Sequence, residues 1–281
     1  MNSSDNFSKK EVRTLHPGTS PTSAWEPLAL EEPLEILLYY RFLGRRARKP
    51  IAITMRTPGE DRDLALGFLL SESIISSREQ IASMKTDPDE ANRIEVHLKD
   101  NVQVDIPSLQ RHFYTTSSCG VCGKASLEAL RANHLGALPV AKNLISQETL
   151  FSLPEKLRAA QQLFGKTGGC HGTGLFDLQG EVLYLREDVG RHNGMDKVVG
   201  ALFHEPEESR RRPEEILVLW SGRASFELVQ KAVQARFPIA MAIGAPSSLA
   251  VELASEFGLT LLGFARKDRI HCYSHPERIR P

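Results

Sequence analysis

The sequence is short of several things, and each shortage removes a class of protein. Cysteine occurs only four times in 281 residues, at Cys119, Cys122, Cys170 and Cys272, too few for a disulfide scaffold. No stretch approaches the roughly 18 consecutive apolar residues of a membrane-spanning helix. The longest runs, ILVLW and PIAMAIGAP, suit buried strands instead. The opening MNSSDNFSKKEVRTLHPGTS is polar and lacks the apolar centre of a secretory signal, so the expected address is the cytoplasm, without a membrane partner. There is no excess of charge: 35 basic side chains balance 35 acidic ones. That argues against a whole-surface field for nucleic acid, though not against a local basic pocket. Neither GxxxxGK[ST] nor GxGxxG occurs, so a P-loop or a dinucleotide fingerprint is unsupported.

What is present is the balance of a globular protein, 41% hydrophobic and 25% charged. Residues 1–26, rich in Ser, Thr, Asn and Lys, read as a flexible tail. From Pro27 to about residue 110 the pattern is a small α+β unit. LEILLYY and IAITMRT read as strands, and the basic run between them (Arg41, Arg45, Arg46, Arg48, Lys49) as a solvated hairpin loop. PGEDRDLALGFLLSES reads as a helix with Leu64, Phe68 and Leu69 on one face. RIEVHLKDNVQVDI reads as a hairpin turning at Asp100-Asn101, with Ile94, Val96 and Leu98 facing Val102, Val104 and Ile106.

Residues 111–135 hold the cysteine pair in a mobile loop and then a helix through Leu127, Leu130 and Leu135. Residues 136–281 read as an α/β cofactor-binding domain. A helix is expected from Ser152, with Pro154 in its first turn, to near Gly165. GTGLFD and VLYLRED add a hairpin or edge strands. Strands at 214–220, 238–244 and 259–265 then alternate with helices at 224–237 and 247–258. That alternation implies parallel βαβ units and a layered sheet.

In such sheets ligands collect beyond the carboxyl ends of the strands. Three loops fall there: SGRAS (221–225), GAPSS (244–248) and RKDR (266–269). The first two join glycine to hydroxyls at helix starts, which offer N–H groups and a dipole to an anion. Their candidate residues are Ser221, Arg223, Ala245 and Ser247. TGGCHGTG (167–174) adds His171, on a glycine-rich backbone that a ligand could approach closely. REDVGRHNGMDK (186–197) adds Arg191 and His192, although a solvated helix start accounts for most of its charges.

SSCGVCGK (117–124) supports three chemistries. Structural zinc sites take four Cys or His ligands, and only one CxxC is present; the HxE with PCxxC of zinc deaminases is absent as well. No structural metal is expected. A redox dithiol and a sulfur carrier stand level on the residues alone, since each needs an exposed thiolate and a second thiol within reach.

The combination CGVCG, TGG with His171, REDVGRHN with DK, SGRAS, APSSLAVELA and LTLLGFARKDR, in this order over roughly residues 27–275, resembles the formate dehydrogenase accessory sulfurtransferase family, FdhD/NarQ. The resemblance implies a cytoplasmic sulfurtransferase. A cysteine desulfurase would load a persulfide on Cys119, with Cys122 as its partner. The sulfur would pass to the molybdenum of bis-molybdopterin guanine dinucleotide destined for the formate dehydrogenase apoprotein. It implies further a homodimer, and a C-terminal layered αβα domain of cytidine-deaminase-like fold. By position the cofactor-contacting segment is Phe264, Ala265, Arg266, Lys267, Asp268 and Arg269, with no glycine before Arg269 and an acid in its place. The competing expectation is a guanine-nucleotide or molybdenum-cofactor chaperone without sulfur chemistry. A zinc-dependent hydrolase is a third.

Overall fold

The computed structural model of the chain describes residues 6–104, 136–138 and 144–281. The CxxC segment and the helix expected after it lie outside the described residues. An antiparallel pair opens the chain, β1 (Phe7–Thr14) and β2 (Thr22–Ala29), with Phe7 opposite Ala29 and Thr14 opposite Thr22. Composition suggests a tail here, because few of these side chains are apolar. Most of them are indeed exposed; it is backbone pairing that makes the hairpin, and composition is silent on that.

β3 (Glu32–Phe42) and β4 (Arg45–Arg56) run antiparallel into a two-residue turn, Leu43 at φ 47° and Gly44 at φ 76°. Two successive left-handed residues give the twist that closes a tight hairpin. Arg41, Arg45, Arg46, Arg48 and Lys49 therefore stand on paired strands or next to the turn, not on the long loop their charge suggests. α1 (Asp61–Ser71), β5 (Ile81–Thr86) and β6 (Arg93–Leu98) complete a sheet ordered β4-β3-β6-β5, with β3 and β6 parallel. Ile94, Val96 and Leu98 alternate inward as expected. Their strand pairs with β3 and β5, however, and Val102 and Val104 lie in no strand. β5 has no strand signature in sequence, because the apolar residues of IASMKT fall at 81, 82 and 84 rather than at alternate positions.

β7 (Ile145–Ser146) pairs with the last strand, β14 (Ile279–Arg280). α2 (Gln147–Ala160) starts earlier than expected, because Ser146 Oγ accepts the Thr149 N–H at 3.1 Å and caps the helix. Pro154 is thus interior rather than in the first turn, and a separate short helix, α3 (Gln162–Thr167), follows. The remaining elements are β8 (His171–Asp177), β9 (Val182–Asp188), α4 (Arg191–His204), β10 (Ile216–Trp220), α5 (Phe226–Gln234), β11 (Ile239–Ala242), α6 (Ser248–Phe257), β12 (Thr260–Gly263) and β13 (His271–Ser274). They form one six-stranded sheet ordered β13-β12-β11-β10-β8-β9. β10, β11 and β12 are parallel, and the flanking strands are antiparallel.

Side chains alternate across β10. Ile216, Val218 and Trp220 meet α4, α5 and α6, while Leu217 and Leu219 meet Leu150, Leu153 and Leu157 of α2. The first of these cores is continuous with Leu34, Ile36, Leu38, Leu64 and Leu66 of the N-terminal sheet and α1. α1 is consequently buried on more than the single face expected, Ala65, Leu66 and Leu70 included, whereas Phe68 is only half-buried. Among the described residues, no helix is long and apolar enough to cross a membrane.

α1 and α4 join the two sheets at close range. A Cβ on Gly67 would lie 1.8 Å from the Asp196 carbonyl oxygen, and one on Gly200 would lie 1.9 Å from that of Asp63. Neither position can carry a side chain at this spacing. α4 is also where the expectation of a solvated helix start fails. Asn193, Asp196 and Lys197 are buried, and each is paired. Lys197 Nζ lies 2.9 Å from Asp188 and 2.9 Å from the Thr57 carbonyl. Lys231 Nζ lies 2.9 Å from Asp196 and 3.0 Å from Glu72. Burial alone would lower the Lys231 pKa, but these two carboxylates outweigh it and raise it, keeping the amine charged. Charges packed this densely look like a surface in sequence; here they are an internal joint.

Gly67→Ala and Gly200→Ala should each destabilise the protein by about 3 kcal/mol or more through overpacking. Gly165→Ala, whose added Cβ meets nothing within 4 Å, should be neutral or stabilise by up to about 1 kcal/mol. Denaturant midpoints of the three variants check this, and equal midpoints would contradict the close crossing.

Candidate functional site

The loops that follow β10, β11 and β12 are stitched to one another. Gly244 N–H donates to Gly222 O at 2.8 Å, Ala224 N–H to Ala245 O at 3.2 Å, Ser247 N–H to Ala224 O at 3.0 Å, and Phe264 N–H to Gly244 O at 3.0 Å. The result is a continuous ledge along the carboxyl edge of the sheet. The serines have structural duties on it. Ser225 and Ser247 cap α5 and α6, and Ser221 Oγ accepts the Gly172 N–H at 2.9 Å. Much of the ledge's N–H complement is thus spent internally, and the positive charge comes from side chains, the exposed Arg223, Arg266, Lys267 and Arg269.

The segment 264–269 needs no glycine. Its Arg266 N–H donates to Arg269 O at 2.9 Å, closing a turn. Phe264 alone in it takes a left-handed conformation, at φ 49°. An aromatic residue held there is strained by about 1–3 kcal/mol, and such strain collects at functional sites. Its ring lies 5.4 Å from that of His271.

Behind the ledge is a cavity of about 630 Å³, within the range of small-molecule sites. It gathers His171, Ser221, Ala265, Arg266 and Lys267 from the candidates named in the sequence. The other candidates stand around it. Arg223, Ala245, Ser247, Phe264, Asp268 and Arg269 belong to the ledge without lining the cavity. Arg191 and His192 begin α4 beside it. His192 Nε2 lies 2.8 Å from Glu227 and 3.3 Å from Ser225 Oγ. Both partners meet the same ring nitrogen, so this is not a relay of the Ser-His-acid kind. Arg191 Nε is buried without a hydrogen-bond partner among the described residues.

The opposite wall is one the sequence did not suggest: Leu157, Arg158, Gln161 and Phe164 of the α2–α3 junction. Reading 152–165 as one helix hid that junction. Its signal lies far away in sequence, since Glu187 of β9 accepts the N–H groups of Leu163 and Phe164 at 2.7 and 2.8 Å and so starts α3.

Two side chains at the cavity have shifted protonation. Burial first, and then the nearby Glu187, push the Cys170 thiol up to about 12, leaving it protonated and unreactive. Burial also lowers the His171 pKa, and the charges of Arg191 and His192 lower it further. The imidazole is therefore neutral in a cationic surrounding, where a bound anion would favour its protonation.

Residues 29–280 match the FdhD/NarQ family. The chain belongs to that family. Curated relatives include the "Sulfur carrier protein FdhD" of Nocardia farcinica, 45% identical over 91% of this chain and 88% of that protein. Another of the same name, from the archaeon Saccharolobus solfataricus, is 42% identical over 90% of each. Among solved structures, a protein described as a formate dehydrogenase accessory protein from Desulfotalea psychrophila superposes with a TM-score of 0.74. It is 25% identical, with 98% of this chain and all of that one covered. Cys119 and Cys122, the thiols assigned by resemblance, lie outside the described residues.

The His171 resonance should titrate below its ordinary value of 6.5. A lowered folded pKa contributes stability that is complete above about pH 6.5 and is lost as pH falls through the folded midpoint. His171→Asn should remove that part of the acid-side slope. A midpoint at or above 6.5 by NMR would contradict the electrostatic reading of the cavity.

Proposed function

We propose that this FdhD/NarQ chain is a sulfurtransferase that carries persulfide sulfur from a cysteine desulfurase to the molybdenum cofactor of formate dehydrogenase, with the cofactor as bound cargo at the sheet edge. The observation that carries the cargo half of this reading is the cavity behind the ledge. Its lining is in good part apolar (Leu157, Phe164, Ile243, Ala265) and includes the cations Arg158, Arg266 and Lys267. Bis-molybdopterin guanine dinucleotide joins flat heterocycles to pyrophosphates, and such walls suit the rings while such cations suit the phosphates. The sulfur half rests on family membership and on the CxxC pair.

The sulfur steps balance as follows. The Cys119 thiolate attacks the terminal sulfur of the desulfurase persulfide, which becomes a thiolate again while Cys119 becomes the persulfide. The Cys122 thiolate then attacks the inner sulfur of Cys119. This forms the Cys119–Cys122 disulfide and releases the outer sulfur as hydrosulfide, reduced by the two electrons the thiols supply. Hydrosulfide replaces an oxygen ligand on the cargo metal, which leaves as hydroxide or water. A cytoplasmic dithiol reductant returns the pair to thiols. Cys170 takes no part, being buried and protonated. The same reading includes a homodimer and a cytidine-deaminase-like type for the layered sheet, which its three parallel strands with antiparallel flanks accommodate.

Incubation with a cysteine desulfurase and sulfur-labelled cysteine should place label on Cys119, and Cys119→Ala should lose it. In cells Cys119→Ala should lower formate dehydrogenase activity to that of cells lacking the protein. Full activity with both cysteines replaced would favour the chaperone reading, in which the cavity binds cargo and the thiols are incidental. Stoichiometric zinc in the purified protein would favour the hydrolase.

A further inference from the structure

Gln161 stands between α2 and α3, at φ −75° and ψ 94°. Its backbone is satisfied on both sides: the N–H donates to Leu157 O and the carbonyl accepts from Gly165 N–H, each at 3.2 Å. The side chain is turned inward. Gln161 is 6% exposed, lies against Gly172 so closely that a Cβ there would come within 2.6 Å of Nε2, and lines the cavity. Its Nε2 is buried with no hydrogen-bond partner among the described residues. Of the buried side-chain atoms in that condition, this one alone belongs to a cavity-lining residue.

A buried amide without an acceptor bears its full desolvation cost, and folded proteins rarely keep such a group unless a partner arrives from outside the chain. The surroundings say what that partner belongs to. Phe164, with the Arg158 guanidinium stacked 4.3 Å from its ring centroid, and the apolar residues Ile243 and Ala265 give flat walls. Arg266 and Lys267 supply cations for an attached phosphate.

We propose that Gln161 is the specificity-determining residue of this cavity, its carboxamide pairing with the lactam edge of a fused-ring heterocycle that carries phosphate. Nε2 donates to the ring carbonyl, and Oε1 accepts from the adjacent ring N–H. Guanine and pterin present the same lactam edge, so either end of a pterin–guanine nucleotide can make this contact. Adenine presents an amino donor where the carbonyl would be, and it leaves Nε2 unpaired unless the packed amide turns over. The inference rests on the cavity being the cargo site.

The test is isothermal titration of the full chain and of Gln161→Leu with GDP, IDP, ADP and neopterin monophosphate. The wild-type protein should bind GDP and IDP alike and ADP at least about tenfold more weakly. Gln161→Leu should lose about tenfold or more of the GDP affinity, or of the pterin affinity. The ligand that weakens identifies which heterocycle meets the carboxamide. The unliganded Leu variant should melt no lower than wild type, because it removes an unpaired buried donor. GDP affinity and pterin affinity both unchanged in Gln161→Leu would overturn the inference while leaving the cargo site standing. Failure of the wild-type protein to bind any of the four would instead overturn the reading of the cavity itself.

Discussion

Lys197 is a fully buried ammonium group, and the shape of the molecule follows from how it is neutralised. It sits on α4 of the C-terminal sheet and meets Asp188 at the end of β9 and the Thr57 carbonyl beyond β4, each at 2.9 Å. Asp188 in turn accepts from the N–H groups of Thr57 and Gly190 and from the Asn193 amide, which also donates to Met55 O. A buried ion pair is tolerable only when its remaining lone pairs and protons are satisfied, and here residues 54–57 supply much of that satisfaction. Gly67 and Gly200 let α1 and α4 approach closely enough for it to form. Removing one charge of such a pair generally costs about 3–5 kcal/mol, so the two sheets are not independently hinged units.

That joint also sets the site. The Val189 N–H donates to Thr57 Oγ1 at 3.1 Å, fixing the strand end from which Val189 enters the cavity wall and Arg191 and His192 begin α4. Ser221 ties the ledge to β8, and Glu187 ties α3 to β9. Ledge and opposite wall are thus attached to the same sheet.

The sequence was legible where burial writes a simple pattern. The strands at 216–220, 239–242 and 260–263 are short runs buried at every position, as strands covered on both faces are, and the three loops fall at one edge because parallel βαβ units leave no other choice. It was illegible where backbone pairing or tertiary charge decided the outcome. β1 and β2 pair with little buried apolar surface, and β5 is carried by its neighbours. Glu187, Asp188, Asn193 and Lys197 look solvated in a row, and only their partners at 54–57 and 163–164 reveal them as internal. The α2–α3 wall was missed for the same reason, since a helix start made by Glu187, more than twenty residues away, leaves no local mark.

The central claim is that the cavity behind the ledge holds the nucleotide-bearing cargo. A crystal structure of the chain soaked with GDP tests it most directly. The account predicts the nucleotide inside that cavity, its base between the α2–α3 wall and Ala265 and its phosphates towards Arg266 and Lys267, with the joint at Lys197 unmoved. Nucleotide bound elsewhere on the chain, with the cavity left to solvent, would contradict it.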